Sequence, residues 1–461
     1  MPNLGLATST VRRSRGELPQ LPLVNMFAEA AITEPERFSL LSRPGFSGNG
    51  QQYGDGPIRA LFRQQGVLNG RIIAVSDTDF YVDGERKGLL AGSGAANLAG
   101  NEIGVIGTAG ETVSFWDGTN YRSVAFPDNA NVTRVAEQGG RFIFLRAQSH
   151  RYYWTKPYTA MINGSGDIVV DPLDYASAEN EPDHLLDILV IEDSLVLFGQ
   201  NTIEFHAETG QSAAPWAPMQ GRVYQKGIRA SGCAAHFDNS FAWVSEENIV
   251  YRAGNVPLAI SDEGIVELIS GSLNCQVTSF YLEGNEFLKI DLDTVSLVYG
   301  AKSQQWAEWS SNGGPLLGGV SISGPVFGSV EDGKLLIFSE YDDLGAAQVR
   351  RFRAGLPANG GTMTIDNLGI RTNPGQTNYT VGDYADPIVE ARLSRDGGQT
   401  WGLWRQTSLG KQGVYRKRPE WRSWGVVDAP GVLFEFRVAD PVSFRVSGAF
   451  YNEQMGGRGR G

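Results

Sequence analysis

The chain has 461 residues, 41% of them hydrophobic and 10% aromatic, and a formal net charge of −12. That balance gives enough apolar material for a large core and excludes a disordered, charge-swollen chain. It also excludes an avid duplex-DNA reader, which carries a basic face and a domain pI above about 9.

The only cysteines are Cys233 and Cys275, so no disulfide framework or CxxC motif is available. A reducing cytoplasm is adequate for folding. No stretch approaches the roughly 18 apolar residues of a membrane span. The best one, around 185–198, is interrupted by Asp187, Glu192 and Asp193. The N-terminus lacks the continuous apolar region of a secretion signal, which predicts synthesis as a soluble protein. The 58 glycines sit beside Asp and Asn between short apolar runs, as turn residues do.

Residues 1–60 read as an N-terminal arm followed by the first strands. Residues 1–24, with Arg12, Arg13 and Arg15 among scattered Pro and Gly, are expected to be extended. From residue 61 to 355 a strand–turn–strand unit recurs, beginning at residues 71, 103, 141, 194, 240, 286 and 334. The clearest unit is Ser194–His206: the apolar run SLVLF, the turn GQN, then TIEFH, where Ile203 and Phe205 alternate with polar neighbours. One such hairpin cannot bury its own face. Repetition at 32 to 53 residues predicts four-stranded blades, each hairpin being the inner or middle pair of a β-propeller with about six or seven blades. The alternative is a β-sandwich of irregular hairpins. No long amphipathic helix is expected, so the class is all-β either way.

Two polar stretches, 155–186 and 207–232, read as inserted loops, the second carrying Trp216. Such loops on a rigid scaffold are where contacts concentrate. A boundary is expected over 356–376. Beyond it, residues 377–452 read as a small β-sandwich-like domain with strands at 388–394, 403–408, 422–427, 432–438 and 442–450. The tail 453–461 is Gly/Arg-rich and reads as disordered.

Chemistry-bearing patterns are sparse. SRDGGQTW (394–401) matches the Asp-box of sialidase-type propellers, whose role is a hairpin turn: Asp396 caps backbone donors and Trp401 packs beneath. The glycine cluster at 92–100 opens no helix after a Rossmann strand, so a phosphate cradle is not expected. The histidines at 150, 184, 206 and 236 lack metal-ligand spacing, and Asp291 has no surrounding set of oxygen ligands. No GxSxG elbow marks a nucleophile. Neither a catalytic residue nor a cofactor is predicted. The strongest charge feature is Arg405, Lys411, Arg416, Lys417, Arg418 and Arg422, interleaved with Trp404, Tyr415, Trp421 and Trp424. Basic plus aromatic side chains serve single-stranded nucleic acid or protein interfaces. In an acidic chain we assign these residues, with Trp216, to a possible protein–protein interface.

The segments LPLVNMFAE (21–29) with SRPGF (42–46), LVLFGQNTIEFHAETG (195–210) preceded by Asp183-His184, VYQKGI (223–228), YRKRPEWRSWGVV (415–427) and FEFRV (434–438) occur in an order that resembles the packaged-DNA stabilisation proteins of short-tailed bacteriophages. These are also called tail hub or nozzle proteins. The resemblance implies a structural virion protein without catalytic residues, assembled in the host cytoplasm. It implies a homohexameric ring below the portal and adaptor ring. Such a ring continues the DNA channel without specific DNA binding, retains the genome, and presents surfaces to a tail needle or tip and to fibres or spikes. The competing reading is a carbohydrate-binding or glycosidase-like propeller, motivated by the single Asp-box and the tryptophans.

Overall fold

The computed structural model describes residues 3–12, 20–31, 37–178, 183–322, 326–357, 362–428 and 431–452. The expectations for Arg13, Arg15 and the tail 453–461 lie outside them.

Six antiparallel four-stranded sheets succeed one another along the chain, and a six-stranded sheet that includes Asp342–Asp343 and Ala346–Ala347 forms the seventh blade. Blade 1 is Ile58–Phe62, Ile73–Ser76, Asp79–Val82 and Glu85–Leu89; blade 2 is Asn97–Asn101, Gly104–Thr108, Val113–Trp116 and Tyr121–Val124. Blade 3 is Val132–Gln138, Arg141–Arg146, Arg151–Thr155 and Val170–Ser177; blade 4 is Leu185–Ile191, Ser194–Gly199, Ile203–Glu208 and Trp216–Tyr224. Blade 5 is Ala234–Phe237, Ser240–Val244, Val250–Arg252 and Leu258–Ala259, and a short helix, Glu263–Ser270, leads out of it. Blade 6 is Cys275–Leu282, Asn285–Leu292, Ser296–Gly300 and Trp306–Trp309. Blade 7 takes Gly318–Ile322, Val326–Ser329 and Lys334–Ser339 from one end of the wheel and Gly45–Gln52 from the other. The first strand of each blade touches the first strand of the next, and blade 7 returns to blade 1, so the array is a closed seven-bladed propeller.

The middle hairpins are where the sequence places them, because their alternate residues face neighbouring blades on both sides. Within blade 4, Val196, Phe198, Ile203 and Phe205 are buried and join Phe241 and Trp243 of blade 5. The polar stretches 155–186 and 207–232 are not simple inserts: they carry the outermost strands of blades 3 and 4. An outer strand faces solvent along one edge, so its composition is polar and loop-like.

Cations tie blade to blade. Arg134 of blade 3 pairs with Asp187 of blade 4 at 2.8 Å, and Asp187 also accepts from the Gly232 amide leading into blade 5. Lys289 of blade 6 is fully buried and donates to the Gly318 and Gly319 carbonyls of blade 7 at 2.8 and 2.6 Å.

The second domain is a curled sheet. Its strand order is Arg405–Ser408, Ile388–Ser394, Gly431–Val438, Arg350–Pro357, Asn3–Leu6, Arg445–Tyr451, Met363–Thr372, Glu420–Val427. Phe38–Ser42 adds beside Arg445–Tyr451, and Met26–Ala30 beside it in turn. The two halves pack face to face, with Trp421 and Trp424 against Phe436 and Phe434.

Three expectations are corrected here. The N-terminal arm is instead woven into this domain: Asn3–Leu6 pairs with strands on both sides, while Thr10 and Arg12 bind the buried Glu308 carboxylate. The unit beginning at 334 is not one hairpin: Lys334–Ser339 is a strand of blade 7, paired with Gly45–Gln52, and Arg350–Pro357 belongs to the sandwich. The boundary 356–376 holds the ten-residue strand Met363–Thr372, whose Ile365, Leu368 and Ile370 are fully buried.

Propeller and sandwich share one core. Phe280, Phe287, Trp309 and Phe327 of blades 6 and 7 pack in the same cluster as Phe27, Leu40, Phe352 and Phe436. At the seam the buried Arg43 has all five donors engaged: Asn25 Oδ1, the Pro44 and Ser310 carbonyls, and both oxygens of Asp343 at 3.0 and 2.6 Å. Asn25, at a positive φ of 53°, also bonds the Val349 carbonyl and the Ser310 amide. The segments LPLVNMFAE and SRPGF therefore meet at this seam.

Candidate interaction face

The far end of the sandwich is where the first and last strands of its sheet order meet. Arg405 donates to the carbonyls of Arg422 and Ser423 at 2.9 and 3.1 Å, fastening the two edges together. Trp421 Nε1 returns a bond to the Arg405 carbonyl.

On the outer face of one half, charges alternate with a period of two, as strand geometry requires. Glu390 stands opposite Arg437 and Arg392 opposite Glu435 in register. Arg353 lies on the other side of Glu435. Glu435 is fully buried and accepts from Arg353 Nε at 2.9 Å and Arg392 Nε at 2.6 Å; Glu390 accepts from Arg437 Nε at 2.6 Å. Over this lattice the segment Trp401-Gly-Leu-Trp404 folds back, with the Gly402 amide bonded to the Leu393 carbonyl. The indoles interleave with the guanidiniums: Arg353 and Arg392 flank Trp401 at 4.6 and 4.7 Å, and Arg392 and Arg437 flank Trp404 at 4.3 Å each. Arg405 covers Trp424 at 4.4 Å. Each contact contributes on the order of 0.5–2 kcal/mol, rising as water is excluded.

The ladder stiffens a surface from which Leu403 projects, 90% exposed, beside a cavity of about 690 Å³ lined by Trp401, Trp404, Arg405 and Trp424. Lys411, Arg416, Lys417 and Arg418 lie together on the neighbouring exposed loop with Tyr415, and Arg422 is exposed on the adjoining strand. Trp421 is buried and supports the face from within. Trp216 does not belong to it: it is 3% exposed in the propeller, donates to Gln138 Oε1 at 2.9 Å, and packs edge-on against Trp154. Its place in a possible interface is corrected to a core position, because an indole flanked by two blades has no free surface.

Sequence reasoning missed Arg353, Arg392, Arg437, Glu390 and Glu435. Their signal was the i, i+2 spacing of opposite charges in Glu390/Arg392 and Glu435/Arg437, visible only once the two strands are known to be neighbours.

The Asp-box is a turn. Asp396 accepts from the Thr400 amide at 2.9 Å and from Ser394 Oγ at 2.7 Å, with Gly397 and Gly398 at positive φ. These bonds, chiefly those from Thr400, hold its carboxyl well below the usual carboxylate range. Asp183 and the FGQNT turn are likewise structural. Asp183 accepts from the Asn201 and Thr202 amides at 2.6 and 3.1 Å, and Gly227 packs so closely on Gln200 that a Cβ would strike its carbonyl. Among the described residues no three His, Cys, Asp or Glu side chains converge as a metal site, and no helix is long and apolar enough to cross a membrane.

Comparison with known proteins fits this architecture. Residues 6–312 match the family model described as bacteriophage P22 Gp10, beta-propeller, and residues 349–452 match the model described as bacteriophage P22 Gp10, beta-sandwich. The tail hub protein gp10 of Salmonella phage P22 is 27% identical over 243 residues, covering 47% of this chain and 50% of that protein. Among solved structures, BBS1N in its complex with ARL6DN aligns with 66% of this chain and 98% of its own at a TM-score of 0.39 and 9% identity. PorZ of Porphyromonas gingivalis, a component of the type-IX secretion system, aligns with 70% of this chain and 44% of its own at 0.35 and 10%. With one model covering the propeller and the other the sandwich, the chain belongs to the bacteriophage P22 Gp10 family.

Proposed function

We propose that the chain is a structural protein of a short-tailed phage tail. Copies form a ring beneath the portal and adaptor. The ring continues the DNA channel, retains the packaged genome, and carries tip and fibre or spike proteins. No chemical step belongs to this role. The observation that carries the reading is the match of both domains, in order, to the P22 Gp10 models. The shared propeller–sandwich core supports it, because a conduit under genome pressure must not hinge.

Net charge supports it too. Six copies of a chain of formal charge −12 give a strongly acidic ring. Phosphates are repelled from such a wall within a Debye length of roughly 8 Å, so DNA slides without sticking. Retention is then mechanical, by a constriction or plug. Negative-stain images of virions labelled on this chain test the reading, a six-fold collar at the tail being expected. Tight binding of purified protein to duplex DNA, with a steep salt dependence, would overturn the slippery wall.

A further inference from the structure

We propose that Cys233 and Cys275 form a redox site: a small disulfide oxidant of the glutathione disulfide class joins their sulfurs in a bond that bolts blade 5 to blade 6. The site is independent of the ring reading above.

The two side chains are the only cysteines in the sequence, and the fold brings them together. Cys233 is buried just ahead of Ala234–Phe237, the first strand of blade 5, and Cys275 opens Cys275–Leu282, the first strand of blade 6. Cys233 Sγ donates to the Cys275 carbonyl at 3.2 Å, and the two side chains are hydrogen-bonded to each other. The backbones beside them are already in contact, the Val277 amide donating to the Gly232 carbonyl at 2.8 Å. A disulfide forms where Cα atoms lie within about 7 Å and the Cβ atoms converge. Closure here asks for rotation of two side chains and not for movement of a blade.

The seam is one where a bolt matters. The third and fourth strands of blade 5, Val250–Arg252 and Leu258–Ala259, hold three and two residues, fewer than in any other four-stranded blade. Short strands make few ladder hydrogen bonds, and such elements open first. The stretch between the two cysteines contains all four strands of blade 5 and the helix Glu263–Ser270. A bond across its ends restrains that whole stretch in the unfolded chain.

The two thiols are not equivalent. Cys275 is half-buried and lines a cavity of about 650 Å³ with Ser231, Leu273, Asn274 and Gln276. Leu273 is 94% exposed, so the cavity opens to solvent. Cys233 is enclosed. The hydrogen bond with the Cys275 side chain, burial and Asp187 hold its thiol above the ordinary range, with Arg229 opposing. The thiolate is the attacking species and enclosed thiols are inert, so Cys275 reacts first. It gives up its proton and attacks one sulfur of glutathione disulfide. A mixed disulfide forms, and one glutathione leaves and takes up a proton. The first restraint on Cys233, its bond with the free Cys275 thiol, is then gone. Cys233 loses its proton and attacks the Cys275 sulfur, expelling the second glutathione. Two protein thiols lose two electrons in all, and one glutathione disulfide becomes two thiols. In a reducing cytoplasm the pair stays open. A particle that has left its host, as the tail reading has it, meets the oxidising conditions in which such bonds persist.

The test uses the purified full chain, incubated with glutathione disulfide and then denatured for thiol counting. Two free thiols should fall to none without any disulfide-linked dimer. Trypsin cuts after Arg229, Arg252 and Lys289, so the bond shows in the mass spectrum as peptides 230–252 and 253–289 joined. Cys233→Ala should stop at the glutathione adduct on Cys275, whereas Cys275→Ala should keep Cys233 as a free thiol. In denaturant the oxidised wild type should unfold at least about tenfold more slowly than the reduced wild type, and oxidant should make no such difference to either variant. Glutathione adducts that persist on the wild type, links between copies, or thiols that remain free would overturn the redox site. A bond that forms and leaves unfolding unchanged would overturn the bolt. The collar expected in images of virions stands or falls apart from all of these.

Discussion

Two arginine-rich regions of the molecule use the same side chain in opposite ways. At the seam between propeller and sandwich, Arg43 is out of solvent with every donor engaged and a bidentate carboxylate opposite. At the tip of the sandwich, Arg392 and Arg437 are only partly covered and are spaced by indoles, while Arg405 and Arg416 face water. The seam makes two domains one body. The tip keeps a rigid cationic surface available to something else. Environment, not residue type, separates an internal clamp from a recognition surface.

The largest test of that contrast is Arg43→Ala. It leaves Asp343 buried without its cation and should cost about 3–5 kcal/mol, read as a lower denaturant midpoint. If the loss is below about 1 kcal/mol, the seam is not a clamp. Next, Gly227→Ala forces the backbone away from Gln200 and should cost about 1–3 kcal/mol, as overpacking does. At the tip, Trp404→Ala removes two cation–π contacts and should cost roughly 1–2 kcal/mol. Its signature is faster proteolysis of 401–418 ahead of global unfolding. Smaller still, Lys417→Ser should change stability by no more than about 0.5 kcal/mol, as exposed substitutions do.

The Asp-box turn adds a pH-dependent case. The folded pKa of Asp396 lies below its unfolded value, so its contribution is fully present above about pH 4. It is lost as pH falls through the folded value. An acid titration of wild type against Asp396→Asn should converge at low pH and diverge above about pH 4, by less than any of the changes above.

Legibility in the sequence followed burial. Hairpins such as Ser194–His206 are legible because both faces of their blade are covered, which makes Leu195–Phe198 an unbroken apolar run. Val170–Ser177 and Trp216–Tyr224 border solvent and carry Pro, Asp and Gln, so they read as loops. Met363–Thr372 was hidden by its Asn, Asp and Gly, although Ile365, Leu368 and Ile370 mark a buried side. The closure of blade 7 by Gly45–Gln52 was not legible, because no local pattern encodes a pairing across nearly 300 positions. At the tip, the exposed basic loop was evident from composition. The ladder beneath it was not, since Arg353, Arg392 and Arg437 come from three separate strands. Trp216 misled for a related reason: its flanking alanines and prolines look like surface, yet the ring turns inward to Trp154.

Asn3 pairs with Phe450, and Leu4 with Ala449. A ribosome must therefore pass residue 450 before Asn3–Leu6 gains this neighbour. Loop-closure entropy grows only slowly with length, so the finished molecule gives up little stability for this stitching, but long-range pairing slows its acquisition. Until then Leu4 and Leu40 lack the strand Arg445–Tyr451 beside them, so translation products cut short within that strand should aggregate rather than enter an assembly.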